Sequence, residues 1–198
     1  GCRETAAGLR SEDAESLLAA SGGSADYAEI NPYAFVPAMA PHLAARETGI
    51  EIRLEKILDN FQHLRQKAPW LVVEGVGGWE VPLGEHLTMA EVARAMRLPV
   101  ILVVGLRLGC LNHALLTAAA IQREGVPLAG WIANQIDPAM THVDQNIATL
   151  NERIAAPLLA RFPYRSLSHH GASAPVFPRE TIMHLTSNSY LKTNERSE

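Results

Sequence analysis

LVVEGVGGWEVPL, residues 71–83, runs three aliphatic residues into an acid and then into glycines at 75, 77 and 78. Leu71, Val72 and Val73 are apolar whichever way alternate side chains point, the pattern of a strand buried on both faces. Glu74 closes that strand. A carboxylate at the mouth of an apolar strand is costly to desolvate unless it is paired or binds a cation. Mg2+ suits such a position, because it is a hard ion held by one or two carboxylates together with substrate phosphates. An acid at a strand end beside a phosphate site is the Walker-B arrangement. The glycines let backbone approach a ligand closely, yet no Lys-Ser or Lys-Thr follows them, as a phosphate-cradling loop requires. A glutamate that reaches water or caps the next helix is the plain alternative at this point.

The same two-sided apolar pattern returns in LPVILVVG (98–105), PLAGWIAN (127–134) and APLLARFPY (156–164). Helical periodicity lies between and before these runs: SEDAESLLAA (11–20), residues 50–66 with Ile52, Leu54, Ile57, Leu58, Phe61 and Leu64 on one stripe, LTMAEVARAM (87–96), GCLNHALLTAAAIQREG (109–125) and THVDQNIATLNERI (141–154). Residues 22–42 read as loop, broken by Gly22-Gly23, Asn31-Pro32, Pro37 and Pro41. Alternating strands and helices predict an α/β fold: a doubly wound, mostly parallel sheet with helices on both faces. One domain is expected over residues 1–165. Residues 166–198, rich in Ser, His, Asn and Thr without a period, are expected to form a poorly ordered tail.

With 198 residues, the chain can bury one core, and 47% hydrophobic against 19% charged residues is ordinary for a globular protein. The net charge of −4 offers no long-range attraction to nucleic acid or anionic membrane, and neither is expected as a partner. No apolar run reaches membrane-spanning length. Cys2 and Cys110 form no disulfide framework, which favours a reducing cytoplasm.

In open parallel sheets ligands lie beyond the carboxyl ends of the strands, and four strand ends carry polar or loop-forming features. Glu74 heads the first. The second leads through Gly109, Cys110 and Leu111, whose free N–H groups at a helix start would suit an anion, to Asn112; Cys110 itself reads as a small packing residue. Asn134 ends the third, with a side-chain amide that donates and accepts as a purine edge requires; an Asx turn would explain it equally. Phe162, Pro163 and Tyr164 end the fourth. Asp13 reads by itself as a helix N-cap, as does Ser11.

Taken together, these segments resemble dethiobiotin synthetase, a biotin-pathway family of the P-loop NTPase class. GLRSEDA (8–14), NPYAFVPAMAPHLAA (31–45), VVEGVGGWEVPL (72–83), LPVILVVGLRLGCLNHALLTAAAI (98–121), LAGWIAN (128–134) and APLLARFPY (156–164) carry the resemblance in order and spacing. It implies closure of a ureido ring: 7,8-diaminopelargonate, CO2 and ATP give dethiobiotin, ADP and phosphate. It further implies Mg2+ ligation by Asp13 and Glu74, adenine contacts from Asn134, Phe162, Pro163 and Tyr164, and phosphate contacts from the backbone of Gly75, Val76 and Gly77. Gly78, Gly109, Cys110 and Asn112 would hold substrate, in a homodimer.

The family's GxxxxGK[ST] loop has no counterpart here. Lys56, Lys67 and Lys192 are the three lysines, and none follows a glycine. The chain also begins at Gly1, inside a polar loop. The expectation is a chain lacking the family's first strand, P-loop and first helix, with the phosphate and substrate lysines upstream of Gly1, no catalytic residue within residues 1–198 and impaired activity. A non-catalytic dimerising remnant and a related amide-forming P-loop ligase are the alternatives.

Overall fold

The computed structural model describes residues 1–22 and 25–164. The chain divides into two units, one ending at Met96 and the other beginning at Arg97.

The first unit opens with a short antiparallel hairpin, β1 (Arg3–Thr5) and β2 (Gly8–Arg10), where a polar loop was expected. The Thr5 hydroxyl closes its turn by donating to the Gly8 carbonyl at 2.7 Å and accepting from the Ala7 amide at 3.2 Å. Helix α1 (Glu12–Ala20) follows with Ser11 at its N-cap position, which places Asp13 in the first helical turn and not at the cap. Carboxylates at Glu12, Asp13 and Glu15 complement the positive end of the helix dipole.

The span expected to be loop holds two helices, α2 (Tyr27–Ile30) and the start of α3 (Pro41–Thr48). Pro41 sits in the first turn of α3, where its missing N–H costs nothing. Helix α4 (Leu54–Lys67) and helix α5 (Met89–Met96) complete the unit. Their apolar stripes, with α3 and the segments between, contribute Ala44, Ala45, Ile52, Phe61, Leu83, Val92 and Met96 to buried positions.

Residues 70–75 form no strand, which corrects the expectation for WLVVE. A strand exists through its ladder, and these residues have no ladder partner among the described residues. Their apolar side chains are consequently uncovered: Val72 is 84% exposed, and Trp70 and Val73 are exposed with it.

The second unit is a parallel three-stranded sheet in the order β3 (Val100–Leu106), β4 (Leu128–Gln135), β5 (Leu158–Phe162). Helix α6 (Cys110–Arg123) joins β3 to β4, and helix α7 (Val143–Arg153) joins β4 to β5. Both helices pack on one face, around the fully buried Trp131, Leu106 and Leu150 with Val104, Ala114, Ala118, Ala133 and Ile147. The α/β class with a parallel sheet is as expected from the sequence. The expected tail, residues 166–198, lies outside the described residues.

Candidate functional site

In the first unit a cavity of about 820 Å³ opens among α1, α2, α4 and the extended segment 70–77. Apolar side chains such as Leu17, Phe35, Phe61 and Met96 line its floor. Asp13, from the first turn of α1, and Glu74, from the extended segment, both line it, as do Gly75, Val76 and Gly77. Both carboxylates are exposed. Gly78 falls just outside the lining.

The glycine loop has a defined shape. Gly77 holds φ at +71°, and a Cβ there would come within 2.8 Å of Val81 Cγ2, so both its backbone and its neighbour call for glycine. Val81 donates its amide to the Gly78 carbonyl at 3.2 Å and accepts from the Met89 amide at 3.0 Å, which ties the loop to the start of α5.

A third acid of the wall, Glu29, is already engaged. Lys67 Nζ donates to its two oxygens at 2.7 and 2.8 Å, the Asp26 amide donates at 2.9 Å, and His63 Nε2 stands at 3.0 Å. The Lys67 ammonium, followed by the Asp26 amide, holds the Glu29 carboxyl below its usual range. Asn60 adds bonds from α4 to the Ala28 and Glu29 carbonyls. Sequence reasoning assigned no role to Glu29, since the partners that pin it are distant in the chain.

Mg2+ can be weighed against these donors. Among the described residues no cluster of three or more His, Cys, Asp or Glu could hold a metal alone. Two hard carboxylate donors in the lining of one cavity fit an ion that takes its remaining ligands from water and phosphate.

In the second unit the strand ends come into register. Gly105 of β3 pairs with Asn134 of β4, and Asn134 pairs with Phe162 of β5. Asn134 is half-buried; Pro163 and Tyr164 follow exposed. At the start of α6, Gly109 occupies the N-cap with φ at +91°. The three amides expected to be free there are not all free, because the Cys110 amide donates to the Arg107 carbonyl at 3.0 Å, closing the turn. The Cys110 thiol packs in the core at 2% exposure, and Asn112 lies exposed in the first turn. Sequence reasoning missed Ile136, which continues the alternation of Ile132 and Asn134 one step past the strand.

No helix among the described residues is long and apolar enough to cross a membrane.

The parallel strands and the helices between them define an α/β protein, and the sequence profile of the family described as AAA domain matches residues 3–170. The ATP-dependent dethiobiotin synthetase BioD of Xanthomonas oryzae pv. oryzae is 49% identical over 174 residues, covering 88% of this chain and 78% of that protein. The protein of the same name from Pseudomonas paraeruginosa is 50% identical over 164 residues, 82% of this chain and 72% of its own length. That of Xanthomonas axonopodis pv. citri is 48% identical over 180 residues, covering 88% and 80%. The chain belongs to the ATP-dependent dethiobiotin synthetase family, a family of ligases.

Proposed function

We propose that this chain carries the metal, base and substrate contacts of a dethiobiotin synthetase. The reaction joins 7,8-diaminopelargonate and CO2 into the ureido ring of dethiobiotin and converts ATP to ADP and phosphate. One amine takes up CO2 as a carbamate. The γ-phosphoryl group passes to the carbamate oxygen, and the second amine attacks the carbonyl carbon, closing the ring and releasing phosphate. Such chemistry asks a protein for positioning and charge neutralisation above all.

Asp13 and Glu74 act as the carboxylate ligands of Mg2+, which when bound neutralises phosphate charge. Gly75, Val76 and Gly77 offer backbone amides to phosphate. Asn134 reads the adenine edge, with Phe162, Pro163 and Tyr164 beside it. Gly78, Gly109 and Asn112 hold the substrate, in a homodimer, while Cys110, its thiol buried and its amide bonded to the Arg107 carbonyl, shapes the turn between Gly109 and Asn112. The exposure of Leu108 at 95% and of Leu116 at 62%, on either side of the α6 start, supports an interface there. Two free cysteines support a cytoplasmic setting. The sequence contains no GxxxxGK[ST] loop, so turnover by residues 1–198 alone is slow.

The observation that carries this reading is that Asp13 and Glu74 both line one cavity in a chain 49% identical to dethiobiotin synthetases. Its test is a titration with ADP, with and without Mg2+. Binding should tighten with the metal, and Glu74→Gln should remove that gain while leaving metal-free affinity unchanged. A metal dependence untouched by Glu74→Gln rules out the assignment.

A further inference from the structure

Paired residues on neighbouring strands share a face of the sheet, so Gly105, Asn134 and Phe162 lie together at its carboxyl end. Leu106, next along β3, belongs to the core under α6 and α7. The Asn134 face is therefore the one turned away from those helices. Two residues past Asn134, the side chain of Ile136 returns to this face and lies over Gly105. A Cβ at Gly105 would sit 2.7 Å from Ile136 Cδ1 and 3.4 Å from its Cγ1. The Gly105 backbone is ordinary strand, so what requires glycine here is the space Ile136 fills. The loop beyond is closed by Asp137, whose Oδ1 accepts the Ala139 amide at 2.8 Å and whose carbonyl accepts from Gln135 Nε2 at 3.2 Å. Ile136 is thus held in place, yet 47% of it stays exposed.

We propose that Ile136 is the apolar platform against which the purine base of the nucleotide packs, a specificity-determining residue that acts beside Asn134. The inference rests on the reading of Asn134 as the contact to the base edge. A purine needs an edge partner that both donates and accepts, and an apolar surface for its ring. Asn134 offers the first and Ile136 the second. Gly105 serves both by leaving the hollow in which Ile136 rests.

The test uses the full chain, with ADP and inorganic pyrophosphate as probes and dissociation constants taken from amide chemical shifts. Ile136→Ala should weaken ADP about tenfold, the loss of part of one buried aliphatic contact, and leave pyrophosphate unchanged. Gly105→Ala should act in the same direction by displacing Ile136. Asn134→Ala serves as the control on the base site. If Asn134→Ala weakens ADP and Ile136→Ala stays within twofold of the unaltered chain, the base site stands and the platform is refuted. Equal weakening of ADP and pyrophosphate by Ile136→Ala would show a general structural effect and refute it too. If the unaltered chain binds no ADP, or neither substitution matters, the platform falls together with the base-site reading.

Discussion

Asp13 and Glu74 stand on the wall of one cavity, although one comes from the first turn of a helix and the other from an extended segment that follows α4. Two acids serving one ion lose their effect together. Asp13→Asn combined with Glu74→Gln should therefore weaken Mg2+-dependent ADP binding no more than Glu74→Gln alone, within about twofold, whereas independent sites would add. Calorimetric titration of the four proteins measures this; additive losses would mean that the two carboxylates act separately.

Gly77→Ala should distort the glycine loop. The left-handed backbone costs an alanine about 1–2 kcal/mol, and the new methyl meets Val81. Faster amide exchange over residues 75–81 is expected, with exchange in β4 unchanged. Adding Val81→Ala relieves the collision but not the backbone cost, so part of the protection should return.

Leu150 is fully buried between α7 and the sheet. Leu150→Ala should cost about 3 kcal/mol by lost transfer energy and an incompletely closed cavity. Denaturant unfolding followed by a probe in the second unit tests this, and a loss below about 1 kcal/mol would show that the core there refills.

Lys67 and the Asp26 amide hold the Glu29 carboxyl below its ordinary range. A group whose folded-state value is depressed stabilises above its unfolded value and loses that contribution as pH falls through the folded one. The attachment of α2 to α4 should thus weaken on acidification through and below the usual carboxylate range. Hydrogen exchange of residues 27–31 against pH reads this directly. Lys67→Met should flatten the profile, and an unchanged profile would assign the acid sensitivity elsewhere.

Periodicity made much of this architecture legible. LPVILVVG, PLAGWIAN and APLLARFPY read as buried strands and became the parallel sheet, although Ile101 and Val103 on one face of β3 stay exposed. The same pattern misled at 70–75, where apolar residues have no ladder to join; hydrophobicity reports suitability for a strand, and pairing makes one. The β1–β2 hairpin was illegible for the opposite reason, since one threonine hydroxyl sets its turn and no periodicity announces it. Asp13 and Glu74 were legible as acids at element ends, but their common cavity depends on tertiary packing. Ile136 looked like one more aliphatic residue until the hollow over Gly105 gave it a place.

The most direct test of the central claim is dethiobiotin formation by the purified chain, followed by mass spectrometry with 7,8-diaminopelargonate, bicarbonate, Mg2+ and ATP. The expected result is slow product formation that needs ATP and yields one ADP per dethiobiotin. A folded chain that forms no dethiobiotin above the ATP-free control would contradict it.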